Sequence, residues 1–198
     1  MSIQASIQVG HPHQSISAID FNPRGILQIV WQQWQHLHTE AAQAIPKKKS
    51  LSMKGLKGAL PDIVLAERTG PDQIMVRISG TRIDELMGHV ISGQNLLNII
   101  KDGQKERINA VYHNISDHAC GFHISENFKT STGGYIEMDI LVLPLADPEG
   151  DCCYYLIGYH FSDHQYFNPF SKAGFNFKDR TVNHIGYIDL GNGVPRNQ

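Results

Sequence analysis

The order of elements in this 198-residue chain predicts an α+β fold. Three observations carry that prediction. Leu60–Gly93 reads as two short strands joined by a tight turn and running straight into a helical turn. Gln104 to about His118 carries Ile108, Val111, Tyr112 and Ile115 at i, i+3, i+4 and i+7, the stripe of an amphipathic helix. After it, Tyr135–Leu145 and the segment around Cys153–Phe161 alternate with the period of two that marks strands. A hairpin followed at once by short helical turns points to a small sensory fold rather than an enzyme scaffold.

Taken in chain order, residues 1–19 are polar and mixed, and are expected to be a flexible N-terminus. A helix is predicted over 20–46. Asp20 or Asn22 can cap it, Pro23 suits its first turn, Leu27, Val30, Trp31, Trp34, Leu37 and Ala41 recur at spacings of three and four, and Ile45-Pro46 ends it. Residues 47–59 form a basic, glycine-containing linker. In the hairpin, Asp62–Glu67 is rich in Ile, Val and Leu, Thr69-Gly70-Pro71-Asp72 supplies turn chemistry, and Ile74, Val76 and Ile78 alternate with Met75, Arg77 and Ser79. Thr81 is expected to cap a short helix with Asp84 at N3 and Gly88 at its end. Leu96, Leu97, Ile99 and Ile100 suggest another helical turn, closed by Asp102-Gly103. Beyond the longer helix, Gly121–Lys129 is a strand candidate. Ile136, Met138, Ile140 and Val142 share one face of the next strand, opposite Glu137 and Asp139. Asp147-Pro148-Glu149-Gly150 is a hairpin turn, and Cys153, Tyr155, Ile157, Tyr159 and Phe161 line one face of the strand after it. The tail, 163–198, reads as irregular, mixing Tyr166, Phe167, Phe170, Phe175 and Phe177 with Gly and Asn. Only its HIGYIDL segment has edge-strand character.

Composition bounds the function. Hydrophobic content of 41% is ordinary for a globular domain, and no apolar run approaches the ~20 residues of a bilayer span. The N-terminus has neither the basic start nor the apolar core of a secretory signal, so cytoplasmic residence is expected and a membrane role is not. A net charge of -2 gives no electrostatic footprint for nucleic acid. Lys47, Lys48, Lys49, Lys54 and Lys57 read as a solvated connector rather than a polyanion site. Cys120, Cys152 and Cys153 make an odd set with no C-x-x-C, which fits buried reduced thiols better than disulfides or a thiolate metal site.

The pattern of hairpin, helical middle and three closing strands resembles a PAS domain. More narrowly, the chain resembles the alphaproteobacterial PAS-like family of short proteins. The residues that carry this are the aromatic-rich helix ILQIVWQQW, the strand LPDIVLAE, and RISGTRIDELMGHVISG from Arg77 to Gly93. The resemblance covers roughly residues 23–162 and departs from the family's usual pattern by the long linker at 47–59. It implies a five-stranded antiparallel sheet with helices on one face, plus the long N-terminal helix, with the PAS-like domain at 60–162. It also implies a sensory or regulatory role in bacterial signalling. Flanking helices of PAS domains commonly pair with a second copy, so the stripe Leu27, Val30, Trp31, Trp34 and Leu37 is the expected partner or homodimer surface. The alternative is that the helix folds back on its own sheet.

No catalytic constellation stands out. There is no G-x-S-x-G elbow, P-loop or G-x-G-x-x-G after a strand. Asp84 and Glu85 are neighbours whose side chains diverge on a helix. Glu137 and Asp139 could flank a pocket as acid and base, but the solvent side of a sheet is the simpler reading. Among 11 histidines, His160 and His164 are four apart at a strand end rather than on a helix face. His11, His13, His36 and His38 read as surface residues, so no metal site is predicted. Haem-binding PAS sensors take their axial histidine from the helix that here carries His113 and His118. A histidine beside an apolar face is ordinarily structural, however, and no haem is expected. Flavin is not expected either, because ISGTRIDELMG lacks the cysteine of the N-C-R-F run in light-sensing PAS domains.

The function expected is therefore non-enzymatic: a module that binds a small molecule, a protein partner, or both. Its pocket is placed between Ile108, Val111, Tyr112 and Ile115 of the long helix and Ile78, Met138, Ile140, Tyr155 and Ile157 of the sheet. Plain core packing is the alternative for each of these residues. The competing readings are a small cone-shaped α+β enzyme, such as an isomerase or dehydratase, and a structural adaptor with a filled core.

Overall fold

The computed structural model describes residues 16–42, 44–99, 104–129, 135–162 and 180–196. The expectations for the first fifteen residues, for Ile100 and Asp102-Gly103, and for the aromatics at 166–177 fall outside the described residues. The chain runs through α1 (Ile26–Glu40), β1 (Ile63–Gly70), β2 (Gln73–Ser79), α2 (Thr81–Met87), α3 (Leu96–Ile99) and α4 (Lys105–His118). It then forms β3 (Gly121–Lys129), β4 (Tyr135–Ala146), β5 (Cys152–Phe161) and β6 (Arg180–Ile188). The strands make one antiparallel sheet in the order β2-β1-β5-β4-β3-β6. The sheet thus has six strands rather than five. HIGYIDL contributes to β6, which pairs along β3 from Gly121↔Ile188 to Phe128↔Arg180.

Helices lie on both faces, because both faces of the central strands are apolar. On β4, Leu141, Leu143 and Leu145 alternate with Ile136, Met138 and Val142, and every one of them is buried. The leucine face joins Leu65 and Leu156 under the α1 stripe of Leu27, Val30 and Trp34. Trp34 is 1% exposed, and its indole N–H donates to the Pro144 carbonyl at 2.8 Å. Gly158 marks the closest approach: a Cβ there would meet Leu27 and Val30 side chains at 3.1 Å. The expected partner surface is corrected by this packing. Leu27, Val30 and Trp34 are covered by the chain's own sheet, Leu37 is buried as well, and only Trp31 of that set is half-buried.

α1 begins later than the caps at Asp20 or Asn22 would place it. Gly25 precedes it at φ +54°, and a Cβ there would come within 2.4 Å of the His160 ring, so only glycine lets the chain enter the helix at this point. The helix stops at Glu40, before Ile45-Pro46, with Ala42 at positive φ. The 47–59 segment does not uncouple α1 from the sheet. It winds as a 3₁₀ turn at Lys48–Ser50 and a chain of further turns anchored by fully buried Leu56 and Ala59.

On the other face, α2, α3 and α4 cover Val64, Ala66, Val76, Val142, Tyr155 and Ile157. The Arg77–Gly93 motif is the joinery of this layer. Buried Asp62 receives both Arg82 Nη1 contacts at 2.5 and 2.6 Å, tying α2 to the entry of β1. Thr81 is the first residue of α2 rather than its cap. Asp84 Oδ1 instead accepts from the Ser79 hydroxyl at 2.6 Å and from Ile91 N at 3.1 Å, and Gly88 closes the helix in the left-handed region.

Candidate functional site

The sequence-predicted pocket residues converge on a filled chamber, a packed core layer between α4 and the sheet, with one exception. Val111, Tyr112, Ile115, Met138, Tyr155 and Ile157 are buried in a single cluster, and Ile108 and Ile140 pack half-buried against it. Ile78 does not join them. The β1–β2 register slips between Leu65 and Ala66, leaving Arg77 as an extra residue in β2. Beyond that bulge Ile78 lies opposite Leu65, on the α1 face of the sheet, and is 41% exposed.

Inside the chamber the Tyr112 and Tyr155 rings meet edge-on, with centroids 4.7 Å apart. The Tyr155 hydroxyl sits in a polar relay. It accepts from Arg68 Nε at 3.0 Å, lies 2.7 Å from the Ser116 hydroxyl and 3.2 Å from the Tyr112 carbonyl. Arg68 continues outward to the Pro71 carbonyl, Asn109 and His113, so the relay links the chamber to the hairpin turn. Burial works against ionising the tyrosines and thiols here. Burial pushes the Tyr112 hydroxyl well above its usual range and that of Tyr159 up to about 12. Burial likewise lifts the Cys120 and Cys152 thiols to about 12. A thiol so protonated is a poor nucleophile.

His113 is not presented as a haem ligand. Its Nε2 lies 3.2 Å from both Arg68 Nη1 and the Pro71 carbonyl, at the hairpin turn, and His118 sits in the last turn of α4. Among the described residues, no group of three or more His, Cys, Asp and Glu side chains is arranged to hold a metal ion.

A second site, on the α1 side, was only half legible in the sequence. A cleft of about 460 Å³ opens between the segment leading into α1 and strands β3, β4 and β6. Asp139 lies in it, 4% exposed, at the end of the face that continues as Leu141, Leu143 and Leu145. Arg24 reaches in from before α1. Its Nε and Nη2 donate to Asp139 Oδ2 at 3.2 and 3.0 Å, and Nη2 also donates to Glu137 Oε1 at 2.8 Å. Ser125 donates to Glu137 at 3.3 Å, and His123 Nε2 stands 3.4 Å from Asp139 Oδ1. Burial raises the Asp139 carboxyl, but hydrogen bonds from His123, Ser125 and Arg24, together with the Arg24 charge, overcome it and bring the carboxyl down to about 2. Phe21 packs on His123 at 4.9 Å and on Trp31 at 5.4 Å, forming an apolar wall. Glu137 and Asp139 were singled out from the sequence. Arg24, His123, Ser125 and His184 were not, since they come from distant stretches that only the sheet register brings together.

Among the solved structures the chain resembles are light-oxygen-voltage domains, at low identity. A flavin-analogue light-oxygen-voltage domain is 17% identical with a TM-score of 0.41, over 57% of this chain and 85% of its own. The light-state Aureochrome1 LOV domain is 16% identical with a TM-score of 0.39, over 59% of this chain and 92% of its own. An RNA-binding light-oxygen-voltage receptor is 18% identical with a TM-score of 0.41, over 57% of this chain but 33% of its own. No curated protein matches. The PAS domain family model matches residues 25–158, from the glycine that admits α1 to the glycine on which α1 rests, and the chain belongs to the PAS domain family.

Proposed function

We propose that this chain is a non-enzymatic regulatory PAS module that passes its signal by contact with a protein partner. The observation that carries this reading is the meeting of Tyr112 and Tyr155 inside the chamber, where their rings and the hydroxyl relay of Arg68 and Ser116 occupy the middle of the predicted pocket. A small molecule entering there must displace a fully buried tyrosine from its hydrogen bonds, which costs more than filling an open cavity. The neutral tyrosines and thiols support a chamber without acid–base or nucleophilic chemistry.

Native mass spectrometry and an absorbance scan of freshly purified protein, followed by a metabolite thermal-shift screen, test the reading. The expected result is the bare polypeptide mass, no chromophore band and no metabolite that raises the melting temperature. A co-purifying small molecule, or a metabolite whose stabilisation is lost in Ile115→Trp, would replace the contact reading with small-molecule sensing.

A further inference from the structure

We propose that the cleft beside β3, β4 and β6 is a guanidinium-binding site, held in this structure by the chain's own Arg24 and open to exchange with a small guanidinium or amidinium compound. This site lies on the sheet face opposite the chamber and is independent of the reading above. The seat and its occupant are built differently. Asp139 is 4% exposed and Ser125 5%, fixed by strand pairing, whereas the Arg24 side chain is 61% exposed. A rigid seat with a surface-hung occupant favours exchange, because the Arg24 end of this half-buried pair is screened by solvent.

The seat reads a planar cation. Two nitrogens of one guanidinium edge approach Asp139 Oδ2, and one of them also reaches Glu137 Oε1 across the strand face. A guanidinium fork spans both carboxylates at once, whereas a compact ammonium engages them as a point charge. Charge points the same way. Asp20, Glu137 and Asp139 face the cleft, and once Arg24 leaves no fixed cation remains among its described lining residues beside His123 and His184. The volume of about 460 Å³ is larger than a guanidinium, leaving room for the body of a small molecule against Phe21.

The test titrates methylguanidinium into wild type, Arg24→Ala and Arg24→Ala/Glu137→Gln, following amide chemical shifts, with urea and tetramethylammonium as controls. Saturable binding is expected in the wild type, with shifts centred on β3 and β4. Arg24→Ala should bind at least ten-fold more tightly, because nothing has to be displaced, and adding Glu137→Gln should remove most of that gain. Neither control should saturate. If Arg24→Ala fails to fold, Arg24→Gln, which cannot fill the seat with a charge, takes its place in the same comparison. The proposal is overturned if wild type shows no saturable response, if the arginine-free variant binds no more tightly, or if Glu137→Gln leaves binding unchanged.

Discussion

Asp139 is a charged side chain on a strand face that continues as Leu141, Leu143 and Leu145, and its cost of burial is met by three separate groups. His123 and Ser125 come from β3 and Arg24 from the approach to α1. The pH consequence follows from the direction of the shift. The folded carboxyl titrates at about 2, below its ordinary 3.8, so the folded state binds this proton less readily than the unfolded chain. The stabilisation is complete above the ordinary value and is lost as pH falls from near 4 towards 2. Because Arg24 is largely exposed, we expect it to be worth roughly 1 kcal/mol after solvent screening. Urea melts of wild type and Asp139→Asn should differ by that amount at pH 6 and by well under half of it at pH 2, where the folded carboxyl is only part-ionised. A gap undiminished at pH 2 would show that the asparagine harms packing rather than removing a charge. The two acids of β4 were visible in the sequence as sharing a face. The solvent-side reading of that face is corrected by the structure, where Asp139 is 4% exposed and α1 covers the leucines beyond it; the signal overlooked is Ile140–Leu145, an unbroken apolar run of the kind found in strands covered on both sides.

At the scale of elements, the sequence marked helices and strands well wherever periodicity was long. α4, β4 and β5 lie within a residue or two of their predicted bounds. It misplaced the start of α1, because Pro23 looks like a first-turn residue and nothing local reveals that His160 leaves room only for Gly25. It also misassigned the purpose of the α1 stripe, since spacings of three and four suit a helix laid on a sheet as well as one paired with a copy. Covering Leu65, Leu141, Leu143 and Leu156 decides between them. Removing residues 1–46 should therefore leave a protein that aggregates, while the intact chain sediments as a monomer. A truncated form that stays soluble and monomeric with unchanged near-ultraviolet circular dichroism would show that α1 is dispensable to the fold. Gly158→Val tests the same contact more gently. Its added atoms push at Leu27 and Val30, and overpacking of this kind costs about 1–3 kcal/mol.

The whole molecule is a sheet clamped from two sides, and its stability should be distributed accordingly. β5 and β4 pair along nearly their whole length at the centre of the strand order, with α1 on one face and the chamber on the other. At the β2 edge the cover is thinner. α2 and α3 are short, and the segment between them holds β2 through Val76 N to the Gln94 carbonyl, Gly93 N to the Val76 carbonyl and the Ser92 hydroxyl. Much of what fixes this layer passes through the buried Asp62–Arg82 pair, and breaking such a pair from one side strands a charge in the interior at a cost of about 3–5 kcal/mol. Native-state hydrogen exchange should find β4 and β5 opening only with global unfolding, and residues 81–99 opening well below it. In Arg82→Met the exchange of 81–99 should accelerate by at least a hundred-fold, with β4 and β5 accelerated less because they retain both covers. Uniform acceleration across all six strands would mean instead that the layer carrying the family motif and the α1 layer unfold as one cooperative unit.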